Sequence, residues 1–181
     1  MSMNRSRRVA VTGGILVALL IGVPAGTAAG ANGANVAKAS GALLPNPGFA
    51  PNAIDSVNPT IGGEARVHLV VGADGRTLVT LHVKGLPAAR SFAAHLHRDP
   101  CSTSFGGPHY QSPTGTPAAF ATPLNEVWLD FTTNAAGNGR SLAVVPFEVL
   151  SGARSVIIHQ GDNTPPGGIA GQRLACINVS V

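Results

Sequence analysis

The chain has 181 residues and a formal net charge of +4, yet only 11% of its residues are charged and 4% are aromatic. Three of the twelve Lys and Arg residues lie in the first eight positions, so the other nine nearly balance the eight Asp and Glu residues. Because there is no basic run and aromatic side chains are few, we expect no nucleic-acid partner. The rest of the chain is long enough for one domain with a hydrophobic core.

The first 29 residues have the pattern of a secretory signal peptide. Arg5, Arg7 and Arg8 precede the apolar run 9–23, and small residues follow up to a predicted cleavage after Ala29. The apolar run is short for a spanning helix, so we expect no stable membrane span after cleavage. We therefore expect a protein that is secreted or held in the cell envelope. Residues 6–11 also loosely fit a twin-arginine signal, which leaves the export route open.

Residues 30–60 are rich in Gly, Ala, Asn and Pro and lack periodicity, which predicts a flexible lead-in; an edge strand near its end is the alternative. The segments 64–71 and 77–83 flank the turn sequence GADGR and predict a β-hairpin. Further strands are predicted at 92–97, 126–132, 140–146, 155–159 and 173–181. No segment has a helical period, so residues 61–181 predict one all-β sandwich or barrel domain.

Four of the six histidines lie at the ends of predicted strands or in a turn. His95 and His97 are two residues apart on a strand, so their side chains point to one face. His109 follows a Gly-Gly-Pro turn, and His159 ends an apolar strand. Imidazole groups are good ligands for copper, zinc, iron and nickel. These residues therefore predict a transition-metal site.

Cys101 and Cys176 are the only cysteines, and in an exported protein they are expected to pair. In the chain-entropy model, a bridge that closes a loop of about 75 residues stabilises the fold by about 4 kcal/mol. Two free buried thiols are the alternative. Cys101 directly precedes a long loop rich in Gly, Pro, Ser and Thr, residues 102–123, and a loop of this length usually carries function or is held in place by another contact.

Four short motifs within residues 62–181 resemble those of copper/zinc superoxide dismutases and occur in the same order. The matching sequences are AHLH at 94–97, GGPHYQSP at 106–113, SVIIH at 155–159 and GIAGQRLAC at 168–176. The resemblance implies a Greek-key β-barrel of about eight antiparallel strands with long functional loops. It implies the copper ligands His95, His97, His109 and His159, the disulfide Cys101–Cys176, and a superoxide-guiding Arg173. It also implies that His109 exchanges a proton during the reaction.

The sequence departs from the family at the zinc site. The family binds zinc with the bridging histidine, two further histidines and an aspartate, but no histidine occurs between His109 and His159. Glu126 and Asp130 are the acidic residues in the segment that should complete that site, and neither aligns with it. We therefore expect copper without zinc, as in the copper-only branch. We also expect Glu126 or Asp130 to hydrogen-bond the free nitrogen of His109, although a solvated role for both is the alternative.

Two functions are compatible with this pattern. The first is an exported copper-dependent superoxide dismutase that converts superoxide to oxygen and hydrogen peroxide, and the presence of Arg173 favours it. The second is a secreted copper-binding or buffering protein of the same fold with little turnover, and the short, weakly charged loop before Arg173 favours it. His68 and His82 are interpreted as surface residues, and Trp128 as a core or lid residue.

Overall fold

The computed structural model describes residues 35–47, 61–112, 121–149, 152–161 and 171–181. Within these ranges the chain forms two antiparallel sheets, a single 3-10 turn at Ser104–Gly106, and no α-helix. The strands are β1 (Asn35–Ala42), β2 (Leu44–Pro45), β3 (Glu64–Val71), β4 (Thr77–Lys84), β5 (Ser91–His97), β6 (Phe131–Thr132), β7 (Gly139–Val145), β8 (Ser155–His159) and β9 (Arg173–Asn178). The predicted all-β sandwich is confirmed.

The two sheets differ in strand order. The first sheet runs β1-β3-β4-β7 and the second runs β2-β9-β8-β5-β6. The predicted β3–β4 hairpin is present, with Glu64 opposite Lys84 and Val71 opposite Thr77. The predicted signal peptide lies outside the described residues. None of the described residues forms a helix that is long and apolar enough to cross a membrane.

The core lies between the inner faces of the sheets. Side chains alternate along a strand, so β3 turns Val67 and Leu69 inward while Arg66 and His68 point away. The second sheet contributes inward side chains such as Leu96. Full burial of an aliphatic side chain of this size stabilises the fold by about 1.5–3 kcal/mol.

The structure differs from the predicted lead-in over residues 35–45. These residues form β1 and β2, which pair with β3 and β9 respectively. β1 has weak side-chain periodicity, because Ala37 is its one fully buried residue. Its ladder with β3 depends on backbone hydrogen bonds along the whole strand, which leave little trace in the sequence. Residues 30–34 and 48–60 of the predicted lead-in lie outside the described residues.

The predicted strand at 126–132 is only partly regular. Its last two residues form β6, whereas Glu126 and Trp128 make isolated bridges to Gln111 and His95. The backbone N–H of Leu129 still donates to the carbonyl of Ala94 over 2.7 Å. The segment therefore keeps one register along β5, but its ladder is interrupted where the N–H of Ala94 donates to the side chain of Asp130.

The second sheet is buried on both faces, and this positions the site. In β5, Ala94 and Leu96 face the core, while His95 and His97 occupy the opposite, outer face. Residues 98–107, which we call the covering loop, fold back against that outer face, where Phe105 packs against Ile157. The chain then returns to the edge of β5, where Tyr110 N–H donates to the carbonyl of Leu96 over 2.8 Å. The outer face of the second sheet is thus a covered surface that carries imidazole groups.

The predicted disulfide between Cys101 and Cys176 is confirmed. Both cysteines are buried beside Ile157 of β8. The backbone N–H of Cys101 also donates to Oδ1 of Asn178 over 2.8 Å. The covering loop is therefore attached to β9 by one covalent bond and one hydrogen bond.

Candidate metal centre

Four imidazoles meet on the outer face of the second sheet. His95 and His97 project from β5, His109 lies beside β5 through a bridge to His97, and His159 ends β8 opposite Ala93. One ring nitrogen from each of the four histidines lies within 4.8 Å of those of the others. His95, His97 and His159 are buried, whereas the side chain of His109 is 27% exposed. The group therefore has one side that faces solvent.

Backbone carbonyls fix the proton position on two of these rings. Nδ1 of His97 lies 2.9 Å from the carbonyl oxygen of Gly107, and Nδ1 of His159 lies 3.2 Å from that of Gly171. A carbonyl oxygen only accepts, so each Nδ1 carries the proton and each Nε2 presents a lone pair. These two Nε2 atoms lie 3.3 Å apart.

The two rings are neutral at pH 7. Burial lowers the pKa of His97 to about 2, against the opposing effect of its bond to Gly107. Burial likewise lowers the pKa of His159 to about 4, with Arg173 and His109 adding to the effect. Two lone pairs that face each other at this distance repel, and a cation between them removes the repulsion. The donor set therefore fits a metal ion that prefers imidazole nitrogen.

A carboxylate holds His109. Nδ1 of His109 lies 3.0 Å from Oε2 of Glu126, so the ring donates its Nδ1 proton and turns Nε2 away from the carboxylate. Glu126 is almost fully buried and accepts two further hydrogen bonds, from Nε1 of Trp128 over 2.9 Å and from Nε2 of Gln111 over 3.0 Å. Such carboxylate–imidazole pairs orient metal-binding histidines.

Glu126 is ionised despite its burial. Desolvation alone would raise the pKa of this carboxyl, but hydrogen bonds from His109, Trp128 and Gln111 outweigh it and the pKa is lowered. Of the two carboxylates that the sequence suggested, Glu126 is the one that contacts His109. Asp130 instead accepts the backbone N–H of Ala94 through Oδ1 over 3.2 Å, which fixes the strand next to His95.

Arg173 lies beside His159 because of a β-bulge. Ile158 faces Ala175 and His159 faces Arg173, so Leu174 is the extra residue in β9. The bulge turns Arg173 to the outer face, where its charge lowers the pKa of His159 after the larger effect of burial. Burial also lowers the pKa of the Arg173 guanidinium itself.

Three carbonyls hold the Arg173 guanidinium. Nη1 donates to Ser104 over 2.9 Å and to Phe105 over 3.1 Å, and Nη2 donates to Gly107 over 2.6 Å. Ser104 and Phe105 both have φ of 45°, a conformation that side chains disfavour, so these bonds compensate for local strain. The carbonyl of Gly107 accepts from both Arg173 and His97.

Only glycine fits at position 107. Its φ is 62°, and a Cβ atom there would lie 2.0 Å from Oδ2 of Asp99. The position of the Gly107 carbonyl, which accepts from both Arg173 and His97, therefore depends on the Gly-Gly-Pro turn that precedes His109.

Sequence reasoning missed the roles of Trp128 and Gln111. Trp128 was interpreted as a core or lid residue, but its indole N–H donates to Glu126. Residues i and i+2 of an extended segment point to one side, and that spacing could have connected Trp128 to Glu126. His68 and His82 project from the outer face of the first sheet, as expected for surface residues.

No known family profile and no curated protein matches the chain. Among solved structures, it is similar to the clock protein EA4, with a TM-score of 0.52 and 18% identity over 65% of this chain and 87% of that one. A point mutant of the SOD-like protein from Bacillus subtilis matches with a TM-score of 0.46 and 14% identity, over 64% of this chain and 88% of that one. The likeness to EA4 shows that this sandwich is a fold shared with a known protein.

Proposed function

We propose that the protein is an exported superoxide dismutase that binds copper through His95, His97, His109 and His159 and binds no zinc. One observation carries the proposal: four imidazoles converge beside a fixed cation, Arg173. The family motifs in the sequence occur in the matching order. Imidazoles alone would suit several metals, but superoxide chemistry needs a metal that changes oxidation state, and zinc does not. Copper, when bound, supplies the one-electron steps that turn superoxide into oxygen and hydrogen peroxide.

His109 and Glu126 are proposed to bind and release a proton that peroxide formation consumes. Peroxide formation consumes protons, and His109 is the ring of the four with the most exposed side chain. Its Nδ1 proton is hydrogen-bonded to the ionised Glu126. Nε2 can take up a second proton only while it holds no copper, and the carboxylate would then stabilise the resulting imidazolium. The ring can then pass this proton on without losing its orientation.

Arg173 is proposed to attract the substrate. Superoxide is a small anion, and a fixed positive charge raises its local concentration and its rate of encounter. The three carbonyls that hold the guanidinium keep it in place before the anion arrives. A charge that needs no rearrangement stabilises an incoming anion more effectively than a mobile one.

The hydrogen bond from His109 to Glu126 supports a site without zinc. In the resembled family that ring bridges two metals, whereas here its Nδ1 donates to a carboxylate. Among the described residues, the four histidines form the one group of His, Cys, Asp or Glu side chains that could hold a metal. The disulfide is typical of oxidising compartments and supports export.

Superoxide decay measured with copper-loaded, zinc-free protein tests the proposal. The wild type should dismutate superoxide, and His159→Ala should abolish turnover because it removes a buried ligand. His68→Ala, which changes a histidine on the other sheet, is the matched control and should retain wild-type activity. Full turnover in His159→Ala, or none in the wild type, would contradict the proposal.

A copper-binding or buffering role is the second candidate, because the contacts of Arg173 are compatible with it as well. Its three hydrogen bonds to residues 104–107 would serve a storage protein equally well, as an attachment for the covering loop. Arg173→Ala separates the two roles. The enzyme predicts slower turnover with a weaker dependence on salt while copper stays bound. The storage protein predicts negligible turnover before and after the change.

A further inference from the structure

The outer face of the first sheet forms an ordered surface of cations and aliphatic side chains. It consists of the outward residues of four strands, which we call the basic–aliphatic face. Its members are Val36, Lys38 and Ser40 of β1, Glu64, Arg66, His68 and Val70 of β3, Leu78, Thr80, His82 and Lys84 of β4, and Arg140, Leu142 and Val144 of β7. A depression of about 560 Å³ lies over its β1, β3 and β4 part.

Strand register sorts this face into rows. Val36, Val70, Leu78 and Val144 are cross-strand partners and form one aliphatic row. Three of them are well exposed, at 52% for Val36, 37% for Leu78 and 47% for Val144. Leu142 lies next to this row and is 61% exposed. Contiguous exposed aliphatic side chains of this kind mark an interaction surface.

The neighbouring rows are basic. Arg66, His82 and Arg140 are partners in one row, and Lys38 lies opposite His68 in the next. Neither Lys38 nor Arg66 nor Arg140 forms an ion pair with a carboxylate in the described part of the chain. The face carries four Lys or Arg residues against one carboxylate, that of Glu64, so it presents net positive charge beside an apolar strip.

We infer that the basic–aliphatic face docks on a lipid bilayer that contains anionic headgroups. The aliphatic row would enter the boundary between headgroups and acyl chains, while Arg66, Arg140 and Lys38 contact phosphates. A second copy of the chain is a poorer partner because it would bring like charges together. An anionic polymer would use the cations but would leave the aliphatic row in water.

This docking leaves the metal centre accessible. The four histidines lie on the outer face of the other sheet, across the full thickness of the sandwich. A protein that rests on its first sheet would expose His109 to the aqueous side. The inference does not depend on turnover, because vesicle binding is measured without superoxide.

Sedimentation with vesicles of phosphatidylcholine and phosphatidylglycerol tests the charge contribution. Near an anionic surface each Arg contributes roughly fivefold to partitioning, so Arg66→Glu with Arg140→Glu should reduce binding at least about 30-fold. Arg98→Glu with Arg154→Glu is the control, with the same charge change on exposed residues outside this face. All variants must share one N-terminus, checked by mass, so that the leader contributes equally.

The aliphatic row is tested in the same assay. Leu78→Ser with Val144→Ser should weaken binding several-fold, most clearly at high salt, whereas Leu44→Ser with Leu124→Ser changes exposed residues elsewhere and should not. Wild-type binding no stronger to anionic than to neutral vesicles would overturn the inference. It would also be overturned if the aliphatic substitutions changed nothing while polyphosphate bound tightly. Dissociation of a dimer by these substitutions, without vesicle binding, would overturn it in favour of a second copy.

Discussion

The outer faces of the two sheets differ most clearly in the solvent exposure and the hydrogen-bond partners of their polar side chains. On the first sheet Arg66, His82 and Arg140 stand in solvent without a described carboxylate partner. On the second sheet His97 and His159 are buried, and their Nδ1 atoms are bonded to backbone carbonyls. Both faces follow the same strand alternation. The covering loop accounts for much of the difference, because it removes water from one face and its Gly107 accepts the hydrogen bond of His97, while Gly171 accepts that of His159.

Burial therefore decides what a histidine does in this protein. A covered imidazole with a fixed Nδ1 proton offers one oriented lone pair, which is the form that metals bind. An imidazole on an open face offers no such orientation. Three changes test this contrast between the faces: loss of the disulfide that attaches the covering loop, protonation of the buried imidazoles, and loss of the Glu126 charge beside His109.

Loss of the disulfide should have the largest effect on stability. Cys101→Ser with Cys176→Ser frees the covering loop from β9, and the unfolding free energy should fall by about 4 kcal/mol. Urea unfolding monitored by Trp128 fluorescence measures the loss, and reduced wild type is the control. A change below about 1 kcal/mol would mean that the loop is held by its noncovalent contacts alone.

Acid should destabilise the metal-free protein. The folded-state pKa of His159 is about 4 instead of 6.5, so the unfolded chain binds the proton first as the pH falls. Stability is complete above pH 6.5 and declines toward pH 4, by up to about 3 kcal/mol for this residue. His97, with a pKa of about 2, extends the decline to lower pH.

Urea unfolding of metal-free protein at a series of pH values measures this decline. His159→Gln should flatten the curve between pH 6.5 and 4, and His82→Gln on the open face should leave it unchanged. Equal stability of the wild type at pH 7 and pH 4 would contradict this prediction, because it would mean that folding does not lower the pKa of His159.

Removal of the Glu126 charge should weaken the metal site more modestly. Glu126→Gln leaves an amide that cannot accept all three donors, so His109 loses its fixed orientation. Copper affinity should fall by about tenfold to 100-fold. Competition with a chromogenic chelator measures it, with Glu148→Gln as an exposed control. Equal affinities in the two variants would mean that Glu126 does not orient a metal ligand.

Substitutions on the open face should have the smallest effect. His68→Ala and Leu142→Thr remove side chains that neither fill the core nor bind a carboxylate, so stability should change by no more than about 0.5 kcal/mol. Copper affinity should be that of the wild type. A loss of more than about 2 kcal/mol from either change would contradict the picture of an open, weakly packed face.

Local pattern was sufficient to predict much of the fold. The bounds of β3 and β8 agree with the prediction to the residue, because their alternation or apolar runs are bounded by clear turn residues. β1 was missed because Gly- and Ala-rich strands have little pattern and depend on a partner for pairing. The interruption of the predicted strand along 126–130 was not predicted, because it depends on contacts with β5, such as the hydrogen bond from Ala94 to the side chain of Asp130.

The candidate site was only partly predictable. The His-x-His spacing and the family motifs brought His95, His97, His109 and His159 together, and the structure gathers the same four. The choice of Glu126 over Asp130 could not be made from sequence, since it depends on strand pairing: Glu126 lies opposite Gln111, whereas Asp130 lies beside Ala94. The β-bulge that turns Arg173 outward could not be predicted from sequence either, because it arises from the pairing of β9 with β8.

The central claim is that the covered face holds a single copper, with Glu126 in place of a second metal. Dialysis of metal-free protein against copper and zinc together, followed by metal analysis, tests it most directly. We predict about one copper per chain and no stoichiometric zinc, because imidazole sites favour copper over zinc and Nδ1 of His109 is bonded to Glu126. Tight stoichiometric zinc, beside the copper or in its place, would contradict the account.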